Sequence, residues 1–174
     1  MSDRSPKQQS IDKESDMDAR LNLFANPLGG KMLKHFVSAG KVAMDSTVPR
    51  ATIELVQLRA SQINGCGHCI DIHTKEAVAA GESHDRLHLV AAWREATVFT
   101  DAERAALELA EQGTRIADAA GGVSDNAWAN ARKHYDEDEL AVLVFAIAGI
   151  NAFNRLNVIV QNPGGDYRAG QLPL

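Results

Sequence analysis

The chain has 174 residues, 45% of them hydrophobic and 5% aromatic, with a formal charge of −5 at pH 7. That length can bury a sizeable core but leaves no room for two full-sized domains, so one domain is expected. The modest negative charge and the absence of any Lys/Arg run argue against a phosphate-binding stripe and against nucleic acid as a partner.

The first 18 residues, MSDRSPKQQSIDKESDMD, are polar and lack the apolar stretch of a secretory signal. They read as an N-terminal tail on a domain spanning residues 19–174, and a cytoplasmic location is expected. Beyond the tail, β-branched alternation is nearly absent and apolar residues recur at helical spacing, which predicts an all-α, multi-helix bundle.

A first helix is expected from about Gly30 to Met44, with Leu33, Phe36, Val37 and Met44 facing inward. Pro49 suits the first position of a second helix running to about Ile63, which Asn64-Gly65 breaks. The third begins near Cys66 and ends before Gly81, placing a Cys-x-x-Cys pair at a helix N-terminus.

Ser83 can cap a short helix through DRLHLVAAW, and Thr100 with Glu103 forms a capping box for a helix over about 101–118. Ser124 begins another short helix. Asp136 with Glu139 then opens a last one that stays apolar until Pro163-Gly164-Gly165 and is expected at the centre of the core. Its longest apolar run, Leu140 to Ile150, has eleven residues, short of the roughly 20 needed to cross a bilayer. A buried core helix is expected there, not a membrane span.

Residues 63–73 read INGCGHCIDIH and contain the only two cysteines in the chain. In a reducing cytosol such a pair is more often catalytic or redox-sensing than a structural staple. At about 100° per residue, Cys66, Cys69 and His73 fall on one side of the helix with Ile70 and Ala77. Unpaired N–H groups at the helix start favour thiolate, and on that argument Cys66 is the more acidic thiol. A sulfenic acid on one cysteine can condense with a thiol one turn away before it over-oxidises.

The same spacing occurs in zinc sites and in thioredoxin-like folds. A thioredoxin needs a preceding strand, whereas TIELVQLRASQI is helical in pattern. For zinc, Cys66, Cys69 and His73 lack a following Cys or His pair at finger spacing, and His84 with His88 would complete a site only by folding back. The sequence is not Cys-x-x-Cys-His, which disfavours attached haem. No metal or cofactor is therefore expected. Two buried small hydrophobes remain the plain alternative.

Glu54, eleven intervening residues, Cys66-Gly67-His68-Cys69 and His73 together spell Glu-x11-Cys-x-His-Cys-x3-His. This pattern resembles the alkyl hydroperoxidase D (AhpD) branch of the carboxymuconolactone decarboxylase superfamily. The resemblance extends through LVAAWREATVFTDAERAALELAEQGTRI and AIAGINAFNRLNV, over roughly residues 20–162. It implies an all-helical, AhpD-like subunit assembled into homotrimers or homohexamers. It also implies a thiol-dependent peroxidase recharged by an external dithiol, such as a lipoyl or thioredoxin-like protein. By that analogy Cys69 attacks the peroxide, against the order that the helix-terminus argument favours, and Cys66 resolves the intermediate. Glu54 and His73 form a proton relay and His68 assists.

Each residue also has a plainer reading. Glu54 can pair with Arg50 at i,i+4 on a solvated face, and a regular helix would turn His68 away from the cysteines. Asn151, Asn154 and Arg155 interrupt the apolar last helix and need partners in the core or at an interface. Trp93 and Trp128 read as packing or interface residues. Two other functions compete: a decarboxylase acting on a lactone acid, which needs no cysteine pair, and a non-enzymatic redox sensor or helical scaffold.

Overall fold

Local side-chain hydrogen bonds start most of the helices. In the computed structural model, which describes residues 18–119 and 121–171, every regular element among the described residues is helical. The tail expected over residues 1–18 lies outside the described residues except for Asp18.

Helix α1 spans Pro27–Met44, three residues earlier than expected at its start, because the Asn26 side chain accepts the backbone N–H groups of Leu28 and Gly29. Helix α2 spans Arg50–Asn64, with Pro49 as its N-cap and Gly65 closing it in the left-handed conformation at φ 65°. Helix α3 spans Gly67–Ala79 with Cys66 at the N-cap. Ser83 caps α4 (His84–Leu89), which runs into a single 3-10 turn at Val90–Ala92.

Both expected capping boxes are present. Thr100 and Glu103 open α5 (Asp101–Thr114), and Asp136 and Glu139 open α7 (Glu137–Val160). Between them lies α6 (Asp125–Ala131), capped by Ser124. One helix ends earlier than expected: α5 stops at Thr114, whereas α7 ends at Val160, the last residue of its apolar pattern, where Gln161 adopts φ 55° before the Pro-Gly-Gly sequence.

The central element is α2 rather than the last helix. It packs against α3, α5 and α7, and it buries Thr52, Ile53, Glu54, Leu55, Val56, Leu58, Ala60 and Ser61. One core joins Ile53 and Val56 to Leu109, Leu143 and Ile147; a second joins Leu55 and Leu58 to Leu87, Trp93 and Phe99. A third, smaller cluster contains Ala60, Cys66, Cys69 and Ile150, with Phe153 packed against it.

The expectation of a buried last helix is corrected. On α7, Phe145 is 71% and Ile159 67% exposed, while Leu143, Ile147 and Ile150 are buried. The helix is apolar nearly all round, so a single subunit can cover only one of its faces. By length and composition Glu137–Ile159 is also sufficient to cross a bilayer, more than the eleven-residue run suggests. Phe36 on α1 is likewise exposed, and its ring meets Phe153 edge-on at 5.8 Å.

Candidate active site

The α2–turn–α3 hairpin places the motif residues. The turn at Gly65 reverses the chain, so Glu54 on α2 faces His73 on α3. Glu54 Oε2 lies 2.9 Å from His73 Nδ1, and both side chains are buried. The plain reading of Glu54 as a solvated partner of Arg50 is half right. Arg50 Nε stands 3.7 Å from Glu54 Oε1, but Glu54 is only 1% exposed and that oxygen has no hydrogen bond. A buried carboxylate on an imidazole fixes the orientation of the ring.

Both cysteines are free thiols buried beside Ala60 and Ile150. The Cys66 Sγ accepts the backbone N–H of Cys69 at 3.3 Å, so the thiol occupies the place of a capping side chain. A hydrogen bond with the Cys69 thiol lowers the Cys66 pKa from 9.0 to about 7 against the opposing effect of burial, with help from that N–H and from Asn154. Cys69 moves the other way, raised by its hydrogen bond to Cys66 and by burial. The first negative charge of the pair therefore settles on Cys66, as the helix-terminus argument expects.

Access favours the other cysteine. A small cavity of about 100 Å³ is lined by Cys69, His68 and His73, by Gln57 and Asn157, and by apolar side chains that include Phe24, Phe36 and Phe153; Cys66 is not part of that lining. Asn157 Nδ2 is 3.6 Å from Cys69 Sγ. Its amide is oriented because Asn162 donates to Asn157 Oδ1 at 3.0 Å. His68 does reach the cavity, and its Nδ1 lies 2.8 Å from the Pro163 carbonyl oxygen, so the chain beyond α7 holds its ring.

The polar residues of α7 mostly serve structure. Asn154 is fully buried, accepts from Asn64 at 2.8 Å and donates to Ser61 Oγ at 3.0 Å, tying α7 to the end of α2 beneath the cysteines. Asn151 bonds Asn64 and Thr114, and Arg155 is exposed and bonds back to Asn151. Trp93 is buried and donates to Glu111, whereas Trp128 is partly exposed on the opposite side of α7. Among the described residues, no group of three or more His, Cys, Asp or Glu side chains is placed to hold a metal ion.

Sequence reasoning missed Asn157, Gln57 and the aromatic wall of the cavity. Asn157 follows Phe153 and Asn154 by about one turn, so helical phase was a usable signal for it. It also missed the C-terminal segment. Asp71 accepts the N–H groups of Gly165 and Tyr167, and Lys75 donates to the carbonyls of the same two residues. No local pattern in GGDYRAG marks that docking.

A buried carboxylate–imidazole pair and two thiols at a helix start are thus brought together on an all-helical scaffold. The chain belongs to the carboxymuconolactone decarboxylase family, whose profile matches residues 31–112. It is 38% identical over 130 residues to the uncharacterized protein YdfG of Bacillus subtilis, covering 75% of this chain and 87% of that one. A crystal structure of a protein of unknown function from Agrobacterium tumefaciens, described as a candidate antioxidant defence protein AhpD, superposes with a TM-score of 0.78 at 32% identity. That match covers 86% of this chain and all of the other. The apo debrominase Bmp8 shares the fold, with a TM-score of 0.68 at 18% identity over 79% of this chain and 74% of that one.

Proposed function

We propose that the protein is a thiol-dependent peroxidase that reduces hydrogen peroxide or organic hydroperoxides through Cys69 and Cys66. The observation that carries this reading is the buried Glu54–His73 pair at 2.9 Å, with its imidazole lining the same cavity as Cys69. Attack is assigned to Cys69 because a nucleophile must reach the peroxide oxygen, and the cavity opens onto that sulfur. Cys66, the readier holder of charge, is the resolving thiol.

His73, held by Glu54, takes the Cys69 proton directly or through water. The thiolate attacks the terminal peroxide oxygen and the O–O bond breaks. Cys69 becomes a sulfenic acid, and the departing alkoxide or hydroxide receives the proton from His73. Cys66 then attacks the sulfenic sulfur, releasing water and forming the disulfide. An external dithiol, lipoyl or thioredoxin-like, returns two electrons and two protons.

The decarboxylase alternative, acting on a lactone acid, makes no use of the cysteine pair, and the cavity lining includes neither Lys nor Arg to pair with a substrate carboxylate. The exposed apolar face of α7 suits a homotrimer or homohexamer.

Intact mass and free-thiol counting before and after one equivalent of an organic hydroperoxide, then a dithiol and a second equivalent, test the cycle. Loss of two thiols and two hydrogens, reversed and repeated, is expected; two unreactive thiols would sink it. Cys69→Ser should abolish peroxide consumption, and Cys66→Ser should leave an oxidised Cys69 with no internal disulfide. Full activity in both variants would contradict the assignment.

A further inference from the structure

Glu76 is buried on α3, one turn beyond His73, and the proposed cycle does not use it. Its two oxygens are divided. Oε1 accepts from the Tyr167 hydroxyl and, at 2.7 Å, from the Gly170 N–H. Oε2 accepts from Arg50 Nη2 at 2.9 Å. The same guanidinium stands only 3.7 Å from Glu54 Oε1, on its Nε side. Arg50 therefore lies between two buried carboxylates, seated closely on one and loosely on the other.

We propose that the C-terminal segment, by clamping Glu76, keeps Arg50 off Glu54 and so reserves the Glu54 carboxylate for His73. The inference rests on the reading of Glu54–His73 as the base for the cysteines, and it makes Glu76 and Tyr167 positioning residues. The guanidinium meets Glu76 through Nη2 at hydrogen-bond distance and Glu54 through Nε only at ion-pair distance, so its closer approach to one carboxylate holds it farther from the other. While Glu76 is charged and anchored by two donors from the C-terminal strap of residues 165–171, its Oε2 is the nearer acceptor. Without that charge the guanidinium would turn to the remaining buried carboxylate and compete with the imidazole for it.

The groups around the pair make this choice consequential. Arg50 and Glu54 come from α2; Glu76, His68 and the two cysteines come from α3 or its cap; Tyr167 comes from the strap. The cavity residues on α1 are Phe36, Val37, Gly40 and Met44, and α7 contributes the neutral Asn157. Arg50 is thus the cation shared by the two carboxylates, and Glu76 itself lies within electrostatic reach of His73. Glu76 remains ionised in its clamp: burial opposes the charge, and the hydrogen bonds from Tyr167 and Gly170 with the nearby Arg50 outweigh it, holding the carboxyl below its usual range.

The test is the ultraviolet thiolate absorbance of the full chain as a function of pH, in wild type, Tyr167→Phe, Glu76→Gln and Glu76→Gln with Arg50→Gln. At neutral pH, Glu76→Gln should lower the thiolate signal about threefold or more, and Tyr167→Phe should lower it less. Adding Arg50→Gln should restore it, because no cation is left to compete for Glu54. A merely structural role for Glu76 predicts no such rescue. An unmoved titration in Glu76→Gln, or a loss that Arg50→Gln fails to restore, overturns the inference. If Glu76→Gln does not fold, Tyr167→Phe decides alone, and an unchanged titration there overturns it. Hydroperoxide turnover is followed in parallel: the expected titration pattern in a protein that consumes no hydroperoxide would keep the clamp and discard the peroxidase reading.

Discussion

At the residue scale, the two thiols divide acidity and access. Cys66 has its pKa depressed to about 7, first by the hydrogen bond with Cys69. A depressed folded-state pKa adds stability that is complete above the unfolded value of 9.0 and is lost as pH falls through about 7. Cys69 is raised, so above 9.0 it subtracts stability instead. The melting temperature of wild type relative to Cys66→Ser should therefore rise between about pH 7 and 9.0 and stop rising beyond it. A flat difference across that range would show that the thiols do not share a proton. Glu54→Gln keeps a hydrogen bond to His73 but removes the charge, and should slow first-turnover oxidation by about tenfold or more with helicity unchanged. Unchanged kinetics would leave Glu54 a structural partner of Arg50. The residue types for this chemistry were legible in the Glu, Cys, His, Cys, His spacing. The acidity of Cys66 followed from its place at the helix start, but the access of Cys69 did not, because it depends on Asn157 and the cavity wall, which come from α1 and α7.

At the scale of elements, boundaries were most legible where a side chain caps its own helix. Thr100–Glu103 and Asp136–Glu139 each close a loop of four residues, which is information a short window of sequence contains. The end of α5 was less so, because no glycine stops it, and at the end of α7 Gln161 takes a left-handed conformation without one. The strap is the element that sequence missed. It lies on α3 because Gly164 comes against the start of that helix: a Cβ at 164 would sit 2.5 Å from the Gly67 carbonyl oxygen. Gly164→Ala should lift the strap, release the His68 contact with Pro163 and speed amide exchange over residues 165–171 while leaving the α2–α5–α7 core protected. Unchanged exchange there would mean that the backbone accommodates the methyl group.

At the scale of the molecule, the exposed apolar face of α7 is the feature that one subunit leaves unresolved. Val144, Phe145, Val158 and Ile159 are all exposed on a helix whose opposite side is core. On the proposal of a homotrimer or homohexamer, Phe145→Glu should shift the mass seen by light scattering toward the monomer. A native mass unchanged by that charge would move the interface elsewhere, for instance to the exposed Met32 and Val42 of α1.

The sequence by itself determined the all-helical class, most helix starts and the residue types of the site, because periodicity, capping and motif spacing act within a few residues along the chain. Only the tertiary structure decided that α2 rather than α7 is the central helix, that Glu54 is buried against His73, that Cys69 faces the cavity, and that Glu76 is held by the C-terminal segment. Each of these depends on which distant elements share a volume. Burial and charge partnership belong to neighbours in space, and an amphipathic pattern records only that a face is covered, not by what.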